Sequence, residues 1–125
     1  MKSVDMPSLI RRSDVCCRDV LCAVLGLREI ETSIYWFVLG KEAQVPEISR
    51  AVKRDRTSVQ RSVSVLISCG LLTRKRLPVS RGRKYAYTSI PVPELKVRLN
   101  DELDGYYGVM QEQIRKIRSP SEKEK

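Results

Sequence analysis

Apolar side chains recur along this chain at three- and four-residue steps in five stretches, and between the fourth and the fifth the step shortens to two. A step of three to four lays one apolar face along a helix, and a step of two marks a strand. Ser13 and Asp14 open the first helix, in which Cys17, Val20, Leu21, Val24 and Leu25 share a face until Gly26 ends it. The second helix covers about 28–39. Glu29 and Glu31 occupy its electropositive first turn, Ile30, Ile34, Phe37 and Val38 form the stripe, and Gly40 follows its end. Tyr35 and Trp36 widen its apolar girth, which makes it the central helix. Pro46 suits the first position of a short third helix, 46–52, with Ile48, Ala51 and Val52 facing inward.

Lys53, Arg54 and Asp55 then form a tight turn, and Asp55 caps a fourth helix, 56–69. Its buried stripe is Val59, Val63, Leu66 and Ile67, and Gly70 terminates it. Two short helices joined by a three-residue turn make a helix-turn-helix. Residues 71–77 and 84–89 read as strands flanking Pro78 to Arg83, a hairpin with a basic tip and with Tyr85 and Tyr87 on one side. Pro91 and Pro93 break the second strand and launch a last helix, about 94–118. The expected fold is mainly α with a small β-hairpin: a winged helix-turn-helix plus a long C-terminal dimerisation helix. The expected organisation is a flexible N-terminus (1–12), a winged helix DNA-binding domain (13–90), the C-terminal helix (91–118) and a disordered tail (119–125).

Length and composition narrow the chemistry. A chain of 125 residues supports one modest core. It has no histidine, so histidine catalysis, histidine metal sites and a histidine pH switch are excluded. No glycine-rich phosphate loop, metal cluster or catalytic cysteine signature is present, and no enzymatic activity, cofactor or metal is expected. No apolar run approaches the ~18 residues that span a bilayer, and the N-terminus lacks the order of a secretory signal, so a cytoplasmic protein without membrane contact is expected. Cys16, Cys17, Cys22 and Cys69 are too few and too clustered for a secreted disulfide framework and are read as reduced thiols.

The net charge of +9 has an address. Residues 50–84 carry eleven basic side chains and one acid, Asp55, while the remaining ninety residues come to −1. A one-signed stretch in a folded domain points to an anionic partner. In a helix-turn-helix the second helix enters the major groove, which places Arg56, Thr57, Ser58, Gln60, Arg61 and Ser64 at the base edges, with Arg54 in the turn before them. Arg pairs with guanine, Gln with adenine, and Ser or Thr with either. Thr57 and Ser58 could also bind phosphate with the first-turn amides. Arg74, Arg76, Arg81, Arg83 and Lys84 on the hairpin reach the backbone or the minor groove and supply affinity rather than sequence preference.

The last helix carries Leu95, Leu99, Leu103, Tyr106, Tyr107, Met110, Ile114 and Ile117 in one continuous stripe, more than a winged helix has surface to cover. Homodimerisation through Leu99, Leu103, Tyr106, Tyr107, Met110, Ile114 and Ile117 is expected, with Gly105 and Gly108 marking a kink or a close crossing. Two recognition helices ~34 Å apart then ask for a pseudo-palindromic site on double-stranded DNA.

From Val15 to Ile117 the chain resembles the archaeal TrmB-like winged helix regulators, and more distantly the MarR type. The likeness is carried by VLGL, REIETSIYWFVL, VPEISRAV, KRDRTSVQRSVSVLISCGLLTRKR, the closing KYAYTSIP and the terminal LNDELDGYYGVM, with RDRTSVQRSV followed by GLL the most specific part. It implies an archaeal source, dimeric DNA binding and transcriptional control, with Arg56, Thr57, Ser58, Gln60 and Arg61 as reading residues. Sugar-sensing members carry a large C-terminal ligand domain, whereas this sequence ends just after its last helix, so no small-molecule effector is assigned. The function expected is a sequence-specific transcriptional regulator. The alternatives are a nonspecific chromatin or RNA-binding protein, a winged-helix protein-docking module, and a cysteine-based redox or metal-responsive regulator.

Overall fold

The structure, a computed structural model, describes residues 17–78, 82 and 84–120. Among these described residues five helices and one hairpin follow in the order α1 (Cys17–Leu25), α2 (Glu29–Phe37), α3 (Val45–Val52), α4 (Arg56–Ser68), β1 (Leu72–Leu77), β2 (Lys84–Ser89) and α5 (Val92–Arg115). This is the winged helix-turn-helix with a long terminal helix that the apolar periods predict. The expected helix start at Ser13 and Asp14, residues 1–12, Cys16, the side chain of Cys17, the wing-tip Arg81 and Arg83, and residues 121–125 lie outside the described residues.

The core forms around α2. Ile34, Tyr35 and Val38 are fully buried against Ile48 of α3 and Val59, Val63 and Leu66 of α4, and Leu21 of α1 and Leu71 close the cluster. Tyr35 ties the hairpin to this centre: its hydroxyl donates to the Ile90 carbonyl at 2.7 Å, and its own carbonyl accepts from the Ser89 hydroxyl at 2.6 Å. Burial, with the Glu94 charge adding to it, pushes the Tyr35 phenol up to about 12. The hairpin pairs antiparallel from Leu72 opposite Ser89 to Leu77 opposite Lys84. On its other edge β2 is bridged by Ala43, whose N–H and carbonyl exchange bonds with Tyr87 at 3.0 and 2.8 Å.

Several boundaries differ from the sequence expectation for local reasons. Pro91 sits at the N-cap of α5 and Pro93 in its first turn, where a fixed φ and a missing N–H cost nothing, so the helix begins before Glu94. It ends at Arg115, which leaves Ile117 beyond the helix instead of on its stripe. In α3, Ile48 is buried and Val52 packs on the core, but Ala51 is exposed. Gly70 turns the chain from α4 into β1 at φ +78°, and the Arg98 guanidinium of α5 lies against it so closely that an added Cβ would come within 2.5 Å.

Candidate nucleic-acid interface

The turn between α3 and α4 is set by local bonds. Lys53 adopts the left-handed conformation at φ 57°, the Ser49 hydroxyl donates to the Arg54 carbonyl, and the Arg54 N–H returns to the Ser49 carbonyl at 3.2 Å. Asp55 then caps α4, one carboxylate oxygen accepting from the Ser58 N–H at 3.1 Å and the other from the Ser58 hydroxyl at 2.7 Å. These Ser58 bonds, side chain first and backbone second, hold the Asp55 carboxyl below its ordinary value. The first turn therefore supplies its own anion, and the Ser58 donors expected to meet phosphate face Asp55. Thr57 stays exposed.

Beyond the cap α4 divides into two faces. Val59, Ser62, Val63 and Leu66 are buried, while Arg56, Thr57, Gln60, Arg61 and Ser64 are exposed together on the opposite side, with Arg54 exposed just ahead of them. No acidic side chain occurs anywhere in α4.

In the hairpin the pleat sorts the basic residues that counting along the chain had grouped. Arg74 and Arg76 pair with Tyr87 and Tyr85 and so share the tyrosine face, whereas Lys75 and Lys84 fall on the other face with Ala86 and Leu77. The Arg74 guanidinium lies over the Tyr85 ring, 4.5 Å from its centroid, which fixes the orientation of a long and otherwise mobile cation. A cleft of about 280 Å³ separates helix from wing, and Arg56, Gln60, Lys84 and Tyr85 line it together with Gln44 and Tyr87. Gln44 carries no signal in the sequence, and Tyr85, like Tyr87, enters there only as strand patterning. Its period-2 position marks its face; that its ring would meet Arg74 depends on strand register.

The expected dimer residues separate into two sets. Leu99 packs on the core of its own chain and Leu103 is half-buried. Tyr106, Tyr107, Met110 and Ile114 are exposed along distal α5, joined by Val109, with Ile117 exposed just past the helix. A Cβ added at Gly105 or Gly108 would meet nothing within 4 Å.

Cys22 and Cys69 are free and half-buried. Burial first, then the charges of Glu102 and Glu31, push the Cys69 thiol up, which disfavours the reactive thiolate. Among the described residues no group of three or more Cys, Asp or Glu side chains could hold a metal ion. Among the same residues no helix is long and apolar enough to cross a membrane.

Comparison with known proteins gives the following. The family described as sugar-specific transcriptional regulator TrmB matches residues 21–92. The uncharacterized protein MJ1082 of Methanocaldococcus jannaschii is 36% identical over 90 residues, spanning 71% of this chain and 75% of that protein. Three solved structures are similar in fold. One titled "Possible transcriptional regulator", from Methanosarcina mazei, has a TM-score of 0.69 at 17% identity, over 85% of this chain and 96% of that one. The ST1889 protein of Sulfolobus tokodaii has a TM-score of 0.60 at 17% identity, over 74% and 92% of the two chains. A MarR-family protein of Porphyromonas gingivalis has a TM-score of 0.50 at 18% identity, over 77% and 94%.

Proposed function

Because this chain belongs to the TrmB family of transcriptional regulators, we propose that it binds double-stranded DNA sequence-specifically and acts as a homodimer without catalytic function. The observation that carries the reading is the exposed face of α4, on which Arg56, Thr57, Gln60, Arg61 and Ser64 stand together with no acid among them. Each is a side chain able to read a base edge, and a helix-turn-helix delivers that face into the major groove. Arg54, Arg74, Arg76 and Lys84 flank it and grip phosphate, and Tyr85 steadies Arg74 from beneath. Ser58 contributes through the cap. Arg81 and Arg83 extend the basic wing in the sequence.

Dimerisation is assigned to distal α5, where Tyr106, Tyr107, Met110 and Ile114 find no cover among the described residues. Residues 13–90 form the DNA-binding unit in this reading and 91–118 the dimer helix, and the site is a pseudo-palindrome.

Selection of bound duplexes from a random pool tests the reading. A regulator of this kind prefers its selected site by ~10³-fold or more over bulk DNA at physiological salt. Arg61→Ala is expected to relax the preference at one base position by about 1–3 kcal/mol, whereas Arg76→Ala weakens all sequences alike and lowers the salt slope by about one. Equal losses for both variants on selected and random DNA would place sequence reading elsewhere than α4.

A further inference from the structure

The buried face of α4 is apolar except at one position. Ser62 is fully buried between Val59, Val63 and Leu66, and its hydroxyl donates to Oε2 of Glu31 at 2.6 Å. Glu31 is itself buried, at 2% exposure, on α2. Its Oε1 accepts from the backbone N–H of Arg28 at 2.9 Å and from Arg28 Nε at 3.2 Å, while Oε2 also accepts from Arg28 Nη2 at 2.9 Å. The carboxylate is thus held to α2 by three donors of Arg28 and reaches α4 through one.

A buried carboxylate is an expensive way to join two helices whose neighbouring residues are Val, Leu and Ile, since apolar packing alone would serve cohesion. What apolar packing lacks is direction. Val and Leu faces tolerate small rolls and slides, whereas a hydroxyl-to-carboxylate bond in a dry interior holds one orientation. Ser62 follows Arg61 directly and stands two residues from both Gln60 and Ser64, so whatever fixes its angle about the helix axis fixes theirs. We propose that Glu31 and Ser62 are a positioning pair, which sets the rotation of α4 and thereby the aim of Gln60, Arg61 and Ser64 at the base edges. The proposal rests on the reading of α4 as the recognition helix.

The test compares Ser62→Ala, which removes the directional bond, with Glu31→Gln, which keeps an acceptor of the same length but loses the ion pair with Arg28. Binding is measured for a duplex selected by the parent protein from a random pool and for a random duplex of equal length, with melting temperatures alongside. The ratio of the two affinities is unaffected by the fraction of protein that is folded, so simple destabilisation leaves it unchanged. The expected result is a crossing of the two orders. Ser62→Ala lowers the ratio at least tenfold with the salt slope unchanged. Glu31→Gln stays within threefold of the parent ratio but has the lower melting temperature. A ratio that follows melting temperature, or a Ser62→Ala ratio equal to the parent's, overturns the proposal. If Ser62→Ala does not fold, Ser62→Cys decides, since its thiol fills the same space but bonds the carboxylate only weakly: a ratio lowered at least threefold supports the pair and a ratio equal to the parent's rejects it. A parent protein that selects no site overturns the reading of α4 instead, a different and separable result.

Discussion

Helices α4 and α5 carry apolar residues at the same period and put them to opposite uses. In α4, Val59, Val63 and Leu66 are wholly covered by α2, α3 and the hairpin, so the surface left for a partner is polar apart from Val65, which is 38% exposed. In α5, Leu95 and Leu99 pack on the same core, but Tyr107 and Ile114 further along are 67% and 65% exposed, so apolar side chains are left over among the polar ones. The free face of a helix is decided by how much of its stripe the fold can cover. α4 is thereby suited to a charged polymer and α5 to another apolar helix, although their sequences announce the same amphipathic pattern.

The contrast can be broken at its strongest point by truncation. Leu66→Ala, at a fully buried position, is expected to cost about 2–5 kcal/mol in thermal or denaturant unfolding, whereas Ile114→Ala at low protein concentration should cost less than about 0.5 kcal/mol. Comparable losses would mean that distal α5 is covered within its own chain. Next in size is the double change Met110→Glu with Ile114→Glu. It should weaken self-association about a hundredfold in sedimentation, roughly 2.7 kcal/mol, without altering the fold seen by circular dichroism. A parent protein that sediments as a monomer at micromolar concentration ends the assignment of α5.

Acid sharpens the α4 side. Burial acts to raise the Glu31 carboxyl, but the hydrogen bonds from Arg28 and Ser62 outweigh it and hold the group below its ordinary value. The stability it supplies is therefore present above the ordinary carboxylate range and disappears as pH falls through the depressed folded value. Glu31→Gln should flatten that acid limb, by a few degrees of melting temperature; an unchanged limb would place the dependence on another group. Smallest is Gly108→Ala. In open space it should raise helix stability by up to about 1 kcal/mol, yet weaken the dimer if two copies of α5 cross there.

Much of the architecture was legible because it is written locally. The Asp55 cap, the Gly70 terminator and the two-residue period of Lys84–Ser89 each depend on neighbours within a few positions. The polar face of α4 followed directly from knowing its buried one. What escaped were pairings over long separations. Glu31 looked like a first-turn acid, because nothing near it announces Ser62, 31 residues away. Tyr35 looked like added girth until its hydroxyl met a carbonyl 55 positions on. Ala43 carries no strand signal of its own and is bridged to the hairpin only because Tyr87 lies beside it. The basic residues of the wing, grouped by counting along the chain, fall on two faces for the same reason, since parity acts on side chains only once the register exists.

The Ala43 bridge has one more consequence. It covers the outer edge of β2 at Tyr87, so among the described residues the backbone edge left open along the hairpin is that of β1. That edge carries Arg74, Lys75 and Arg76 in succession, all exposed, and charges of one sign are what keep an open strand from pairing with its counterpart in another molecule. The cations proposed to hold DNA would thus also guard the free protein against edge-to-edge pairing. Variants that neutralise several of them at once are expected to precipitate before their affinity can be measured, and single substitutions are the safer instruments.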